Sequence, residues 1–236
     1  SRGTMARRVP APRPRASVAM TLVEPDMSRE WFDLQKNELN PALKKAGIKS
    51  RTVYRNAPFN GSPYEYVSVT PFDNYGEFDQ DNALTRALGH EEAERLLGKL
   101  RKCVTSTNRF VITSRPDLGN PPEPGKAPKI MVLTRYRVNQ GKAAEYEAFL
   151  KAETQPVFKK ANILFAISQR GFGALGNEWT TSFYADKYAD LDGGPLLIRI
   201  LGQEAAAKVA AKGDPLRTVV QSVVRIRVDE LSFRQP

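Results

Sequence analysis

Short apolar runs alternate with longer amphipathic runs along the chain, and this alternation predicts its secondary structure. The runs SVAMTLV (17–23) and IMVLTRYRV (130–138) are rich in β-branched and aromatic residues, which favour strands. Each is followed by a segment with apolar residues near helical spacing, at 28–46 and at 141–161. A hairpin pattern, a second helical region and a closing strand come next in both places. The predicted order of elements is therefore βαββαβ, twice.

The two predicted units also match each other residue by residue. The stretch NELNPALKKAGI (37–48) returns as AETQPVFKKANI (152–163), and at the same offset Arg55 falls on Arg170. Matches that keep their order along two stretches of one chain indicate an internal duplication. Further pairs, at slightly different offsets, are Ser106 with Ser222 and Arg109 with Arg225.

A proline-rich stretch separates the two copies. RPDLGNPPEPGKAPK (115–129) carries five of the 17 prolines and has no apolar period, so it predicts a linker. The residues ahead of the first copy mix Arg with Pro and Ala without a period, which is typical of disorder. The predicted divisions are a disordered basic tail at 1–15, a first ferredoxin-like repeat at 16–115, a Pro-rich linker at 116–128 and a second ferredoxin-like repeat at 129–236.

The order βαββαβ is that of the ferredoxin-like, or split βαβ, unit. One such unit is an antiparallel sheet with helices on one face, and its other face is bare until a second copy covers it. In EWTTSFYAD (178–186) both alternate sets of side chains are partly apolar, so neither is an obvious water-facing side. The sequence thus predicts an α+β fold in which two tandem ferredoxin-like βαββαβ units pack sheet to sheet.

Three features together resemble the dimeric α/β-barrel superfamily, which includes antibiotic-biosynthesis-type monooxygenases and NIPSNAP-like proteins. They are the tandem units, the first helix ending in PALKKAG or PVFKKAN, and the hairpin ending in SVTPFDNY or SFYADKY. The resemblance covers nearly the whole chain after residue 15. It implies a barrel-type fold with a pocket for a small-molecule ligand between sheet and helices. It also implies either a barrel closed by one tandem chain or a homodimer. Members include cofactor-free oxygenases, isomerases and haem enzymes.

The formal charge of +10 raises the question of a nucleic-acid partner. Half of this excess, five Arg without an acid, lies in residues 1–15, whereas later basic residues alternate with Asp and Glu as on a solvated helix face. The sequence has no basic stripe interleaved with aromatic residues and no long apolar run. We therefore expect neither a nucleic-acid partner nor a membrane.

The number of cysteines and the absence of short motifs limit the kinds of site that the chain can form. Cys103 is the only cysteine, which excludes an internal disulfide and agrees with a reducing compartment. The sequence has no apolar secretory-signal core, so a cytoplasmic protein and one exported after removal of its signal are both consistent with it. It has no Cys and His cluster, dinucleotide fingerprint, P-loop or EF-hand, so no metal is expected.

His90 is the only histidine and therefore the first candidate for a catalytic or haem-ligating role. In the haem enzymes that the chain resembles, a helix histidine is the proximal ligand of the iron. The stretch LGHEEAERL (88–96), however, is typical of a helix start with His and Glu facing water, and Gln203 replaces the histidine in the second copy. An exposed histidine is favoured over haem ligation, so no cofactor is expected.

Glu38 and Glu153 are the other candidate catalytic residues. Each lies four residues from an apolar residue on either side, so each projects near the apolar stripe of its predicted helix. A carboxylate there can act as a general base with a raised pKa. The favoured alternative is a structural ion pair with Arg55 or Arg170, because polar residues present in both copies fit a repeated packing role.

The candidate ligand-binding residues are arginines and aromatic residues. Arg86 and Arg199 precede ALG or ILG in the second helical region, where an Arg can orient an anionic or carbonyl-bearing ligand. A surface Arg over an aromatic ring is the favoured alternative. Aromatic residues on strands can line a pocket, although they more often pack in the core. The aromatic candidates are Tyr54, Tyr66, Trp179 and Tyr184.

Three functions follow from these observations. The first is a cofactor-independent enzyme of monooxygenase or isomerase type that acts on a small apolar or aromatic molecule. The alternative is a non-catalytic ligand-binding or assembly barrel, and the third is a haem-binding protein that uses His90. The enzyme predicts a sizeable cavity in at least one copy, with polar lining residues that the other copy lacks. The non-catalytic barrel predicts two filled and nearly equivalent sheets.

Overall fold

The computed structural model describes residues 13–236, in which strands and helices alternate. The first half contains strands β1 (Arg15–Val23), β2 (Ser50–Asn56), β3 (Glu65–Phe72) and β4 (Val104–Ser114), and helices α1 (Ser28–Leu34), α2 (Asn40–Lys45), α3 (Ala83–Leu88) and α4 (His90–Lys102). The second half contains strands β5 (Ile130–Val138), β6 (Phe165–Arg170), β7 (Glu178–Ala185), β8 (Arg217–Arg227) and β9 (Phe233–Arg234), and helices α5 (Ala143–Phe149), α6 (Gln155–Lys160), α7 (Leu196–Leu201) and α8 (Gln203–Gly213). The α+β class is confirmed.

Eight of these strands form one closed antiparallel barrel. The strand order is β4-β1-β3-β2 in the first half and β8-β5-β7-β6 in the second. The edge strands join the halves, because β4 pairs with β6 around Thr113 and Gln169, and β2 pairs with β8 around Arg55 and Ile226. Among these eight strands no edge is left open, so backbone hydrogen bonds continue around the whole barrel. The short β9 adds to β2 outside this ring.

The predicted tail and linker differ from the structure in their limits. Residues 1–12 of the basic tail lie outside the described residues, and Arg15, its last residue, begins β1. Leu118 of the Pro-rich segment is fully buried in the core of the second half. Asn120 and Phe165 exchange two backbone hydrogen bonds of 2.9 Å. The first part of this segment is therefore packed against the second half, because prolines end the apolar period without preventing burial.

Strand register decides which residues of the two halves occupy corresponding places. Ala19 and Thr134 are each the fifth residue of the first strand of their half. Ala19 pairs with Arg109 on β4, and Thr134 pairs with Ser222 on β8. Arg109 therefore corresponds to Ser222. The predicted match between Arg109 and Arg225 is wrong in register.

The predicted match between Arg55 and Arg170 is wrong for the same reason. Val53 on β2 and Ile167 on β6 occupy corresponding places. The strand partners of Val53 and Ile167, on β3 and β7, pair in turn with Ala19 and Thr134, which correspond to each other. Arg55 comes two residues after Val53, whereas Arg170 comes three after Ile167, so their side chains point to opposite faces of the barrel wall. Arg55 is exposed, and the Arg170 guanidinium lies 4.2 Å from the ring centroid of Phe110 inside the barrel.

The helices pack on the outer surface of the barrel, where each half has its own apolar core. In the first half, Trp31 of α1 and Leu96 of α4 are buried together with Val53 of the wall. In the second half, Tyr146 of α5 is buried in a cluster that includes Val209 of α8. Burial of such side chains stabilises each half by roughly 1.5–3 kcal/mol per large apolar residue. The region between helices and wall is where ligand space is found.

Both long helices contain one widened, π-helical turn. Gln35–Leu39 separates α1 from α2, and Leu150–Thr154 separates α5 from α6. Pro41 and Pro156 follow these turns, and a proline lacks the backbone N–H and crowds the preceding turn of a regular helix. The wider turn accommodates that ring. The widened turn begins at Gln35 in the first half and at Leu150 in the second. Both residues line the space between the helices and the barrel wall.

Candidate functional site

Two cavities lie between the helices and the barrel wall, one in each half. The first cavity has a volume of about 650 Å³ and is lined from β1 to β4 and by α1, α3 and α4. The second cavity has a volume of about 770 Å³ and is lined from β5 to β8 and by α5, α6 and α7. Both volumes lie in the usual range for small-molecule sites. Space for a ligand therefore remains on the helix side of both sheets.

The second cavity is mainly aromatic and apolar. Its wall combines rings from the strands with rings from α5 and α6, because every second strand residue points toward the helices. Apolar residues of α7 and the segment before it close the cavity from the outside. The rings that line it are Tyr136, Tyr146, Phe158, Phe165 and Phe183.

Two arginines line the second cavity, Arg199 and Arg217, and the charge of Arg217 has no acidic partner among the described residues. The Arg217 guanidinium lies 4.5 Å from the ring centroid of Tyr136 and 5.4 Å from that of Tyr146, close enough for cation–π attraction. Within residues 13–236 no carboxylate oxygen comes within 4.0 Å of it. Burial raises the pKa of Tyr146 to about 12, so this hydroxyl stays protonated at neutral pH. The wall thus offers a cation and a phenolic donor.

The first cavity is cationic and rich in hydroxyl groups. Arg51 is only 6% exposed and donates to Asn40 Oδ1 at 2.9 Å and to Gln35 Oε1 at 2.7 Å. Arg101 and Arg109 also line this cavity, and both are exposed. The hydroxyl groups come from alternate strand residues that include Thr21, Ser68 and Thr70. The described lining contains no Asp or Glu.

The corresponding positions show how the two cavities differ. Arg51 lies two residues before Val53, so the residue in its place in the second half is Phe165. The residue in the place of Gln35, at the start of the widened turn, is Leu150. A charged and hydrogen-bonded group in the first cavity is therefore replaced by an apolar pair in the second. This difference agrees with the expectation that polar lining residues of one half are missing from the other.

A second exchange runs in the opposite direction. Val23 pairs with Val104 and Val138 pairs with Arg217, so Arg217 of the second cavity stands where the first has a valine. Where the second cavity has Ser222, the first cavity has Arg109. The positive charge thus occupies different walls of the two cavities.

These cavity arginines were not predicted from the sequence. At the offset that aligns the first helices, Arg51 falls on Ala166 and not on Phe165, because β6 comes one residue earlier in the second half. A shift of one residue turns a strand side chain to the other face, so the comparison hid the exchange. The sequence did contain one signal. Arg51 lies two residues before Val53 and so shares its buried apolar face, where a charged residue is unexpected.

Glu38 and Glu153 line neither cavity. Glu38 accepts from Arg95 at 2.8 Å and from Lys99 at 3.3 Å, and Glu153 accepts from Lys212 at 2.6 Å. The hydrogen bond from Arg95 lowers the pKa of Glu38, which is opposite to the shift that a general base requires. Both carboxylates are thus in ion pairs, although the partners lie on α4 and α8 and are not the predicted Arg55 and Arg170.

His90 and the two predicted arginines lie at helix boundaries. His90 is exposed at the start of α4 and lines neither cavity. Arg86 Nη1 donates to the Asp81 carbonyl at 2.6 Å, and Arg199 Nη1 donates to the Asp190 carbonyl at 2.9 Å. Of the two arginines only Arg199 lines a cavity, the second. The arginines tie their helices to the preceding segment.

The four predicted aromatic residues lie in four different environments. Tyr66 lines the first cavity beside Trp31, with ring centroids 4.4 Å apart. Tyr184 borders the second cavity, but its side chain points to the opposite face of β7 from Phe183. Tyr54 is buried in the barrel wall, and burial raises its pKa. Trp179 is buried behind the second cavity, edge-on to Tyr146 at 5.3 Å.

A further polar group lies inside the barrel itself. Glu178 is 2% exposed, and its carboxylate lies 3.6 Å from Arg135 Nη1 and 3.9 Å from Arg170 Nη1. On the opposite wall, Arg225 Nη2 lies 3.2 Å from Glu65 Oε1. Burial, and then the charge of Arg135, lower the pKa of Arg170 to about 10. The barrel interior therefore depends on its acidic residues to balance buried arginines.

Haem does not fit the residues around either cavity through the predicted ligand. A haem iron needs a side-chain ligand that points into the cavity. His90 points to solvent at the outer end of α4, and the cavity arginines offer no axial ligand. In the part of the chain that the structure describes, no group of three or more His, Cys, Asp or Glu is placed to hold a metal ion.

None of the helices between residues 13 and 236 is long and apolar enough to cross a membrane.

Comparison with known proteins supports the fold. Neither a protein-family model nor a curated protein matches the sequence significantly. Three similar solved structures are a "putative monooxygenase" from Lactobacillus acidophilus (TM-score 0.56, 10% identity, 94% of this chain and 97% of that one), an anthrone oxidase-like protein (0.54, 12%, 92% and 92%) and a heme-binding protein from Thermus thermophilus (0.51, 14%, 95% and 96%). The similar structures belong to the dimeric α+β barrel superfamily. At these identities the likeness establishes the fold alone.

Proposed function

We propose that the protein binds a small aromatic or otherwise apolar molecule in the second cavity and oxidises it with dioxygen, without a resident cofactor. The observation that carries this proposal is the aromatic lining of a 770 Å³ cavity around Arg217, which has no acidic partner among the described residues. The names of two structural neighbours, a monooxygenase and an anthrone oxidase-like protein, supply the reaction class to test first.

The chemistry of the cavity fits a substrate that reacts through its anion. Arg217 stabilises an enolate or phenolate, because a cation in a poorly hydrated site favours the charged form of the molecule beside it. Tyr146 stays protonated and donates a hydrogen bond to the same oxygen. Both groups lower the pKa of the bound substrate and leave the proton to solvent at the cavity mouth.

The oxidation of a CH2 group to a carbonyl group illustrates the balance of atoms. One oxygen atom of O2 enters the product, and the other leaves as water together with the two hydrogens of the CH2 group. The substrate supplies all the electrons, so neither a metal nor a reductant is consumed. The protein contributes binding, exclusion of water and stabilisation of the anion.

Anthrone in aerated buffer provides the test. Oxygen uptake and quinone absorbance should rise above the buffer rate with the wild-type protein. Ser222→Phe puts a ring into the cavity and should abolish the increase, and Arg217→Gln should lower it about tenfold or more. Gln221→Phe is the matched control, since this exposed residue precedes Ser222 on β8 and points to the other face. A wild-type rate equal to that of buffer contradicts the proposal.

A non-catalytic ligand-binding barrel is the second candidate. It is favoured by the location of Glu38, Glu153 and His90, which all lie outside the cavity linings. Binding of anthrone that is blocked by Ser222→Phe but gives no oxygen uptake would identify this function. Haem binding through His90 has no such support, because His90 lines neither cavity.

The architecture that we propose for this function is a tandem of two ferredoxin-like units. It is supported by the two strand orders β4-β1-β3-β2 and β8-β5-β7-β6, and by the widened helix turn in each half. We place the first unit at 16–115 and the second at 129–236. Residues of both units join the barrel, so a homodimer is an additional level of assembly and not a requirement for closing it.

A further inference from the structure

The first cavity contains a buried positive charge that the fold does not balance. Arg51 is 6% exposed, and its described hydrogen-bond partners are the neutral side-chain amides of Gln35 and Asn40. Within residues 13–236 no carboxylate oxygen lies within 4.0 Å of its guanidinium. A buried ion without a counter-ion is costly, so an ion of opposite charge would be strongly favoured here.

Arg51 is positioned to accept such a counter-ion. Asn40 is itself fixed, because its Nδ2 donates to the Leu231 carbonyl at 3.0 Å. A guanidinium has more N–H donors than its two bonds to Gln35 and Asn40 use, and its planar fork matches a carboxylate. Burial, followed by the charge of Arg109, lowers the pKa of Arg51 to about 10, so the group is still protonated at neutral pH.

The rest of the lining shows what the charged group is attached to. Trp31 and Tyr66 pack against each other beside Arg51, with ring centroids 4.4 Å apart. Leu39, Leu43 and Leu97 continue the apolar surface. At about 650 Å³ the space is far larger than an inorganic ion requires. A ligand that fills it has an anionic head and an apolar body.

The positive charge is not a requirement of this fold. The second half builds the same wall with Phe165 in the place of Arg51 and with Leu150 in the place of Gln35. An apolar pair is sufficient for packing at this position. Arg51 and its partner Gln35 are therefore a feature of the first cavity alone, which points to a ligand.

We propose that the first cavity binds an amphipathic organic carboxylate, whose head group pairs with Arg51 and whose apolar body packs on Trp31, Tyr66 and the leucines. This site is separate from the second cavity, and the inference does not rest on the oxidation proposed there. The exposed Arg109 at the same cavity attracts the carboxylate from solvent.

Binding of decanoate, below its micelle concentration, is the test. Isothermal titration calorimetry gives the affinity, and quenching of Trp31 fluorescence, compared with Trp31→Phe, assigns it to the first cavity. Decanol has the same chain without the charge and should bind about tenfold more weakly or worse, and inorganic phosphate should bind more weakly still.

The variants separate Arg51 from other arginines. Arg51→Gln should weaken decanoate about tenfold or more while leaving decanol unchanged. Arg55→Gln is the matched control, because it lies on the same strand and face but lines neither cavity, and it should have no effect. Should Arg51→Gln fail to fold, Arg109→Ser, which copies the second half, should weaken decanoate severalfold.

Three results would overturn the inference. Equal affinity for decanoate and decanol would show that the charge takes no part in binding. Loss of decanoate binding in Arg217→Gln, with full binding in Arg51→Gln, would place the ligand in the second cavity. Absence of decanoate binding to the wild-type protein would contradict the site itself, whatever the outcome of the anthrone experiment.

Discussion

At the scale of single residues, Glu178 is the acidic group that balances the arginines inside the barrel. Replacing it with Gln leaves Arg135 and Arg170 in a buried environment without their counter-charge. We expect Glu178→Gln to lower the free energy of unfolding by about 3 kcal/mol. Urea denaturation at neutral pH measures this change. The control is Glu145→Gln, whose exposed pair with Lys142 should contribute less than about 0.5 kcal/mol, and equal losses would contradict the prediction.

Arg115 sets a pH dependence at the same scale. It is 1% exposed and donates to Asp117 at 2.8 Å and to Glu147 at 2.6 Å, and these bonds hold the pKa of both carboxyl groups below their ordinary values of 3.8 and 4.5. A lowered folded-state pKa gives stability that is complete above the ordinary value and is lost as the pH falls through the folded-state value. The contribution of Arg115 should therefore be complete above about pH 5 and vanish in stronger acid.

The variant Arg115→Met should test this dependence. At pH 7 we expect it to lower the free energy of unfolding by about 2 kcal/mol, since it removes charge-assisted hydrogen bonds. The difference from wild type should shrink as the pH falls below about 4, while Arg55→Met at an exposed position should stay near wild type throughout. A difference that is constant with pH would mean that Arg115 stabilises by packing alone.

At the scale of elements, Asn60 fastens the loop after β2 to β8. Its Oδ1 accepts from the Val224 N–H at 2.7 Å and its Nδ2 donates to the Val224 carbonyl at 3.1 Å, so it pairs with β8 as a strand residue does. Asn60→Ala should lower the free energy of unfolding by about 2 kcal/mol, the loss of two hydrogen bonds. Asn139→Ala, which loses one exposed bond to Pro215, should cost about half as much by the same denaturation experiment, and an equal cost would contradict the role.

The elements also show what the sequence could predict. Periodicity predicted the alternation of strands and helices, because burial of one face imposes a regular spacing on the residues. It did not predict register: the shift of one residue between β2 and β6 sends Arg55 outward and Arg170 inward, although the two align in sequence. The widened helix turns give no periodic signal in the sequence. The sequence therefore did not predict that Gln35 lines the first cavity. Candidate site residues that depend on register, such as Arg51, needed the structure.

At the scale of the whole molecule, one chain closes the barrel. The joints β4–β6 and β2–β8 both lie within it, so every strand of the ring is paired without a second copy. Folding stability should then be independent of association, in contrast to barrels that need two chains. We expect the urea midpoint to be the same at protein concentrations that differ about a hundredfold. A midpoint that rises with concentration would show that a second chain contributes to the folded state, because mass action stabilises only what assembles.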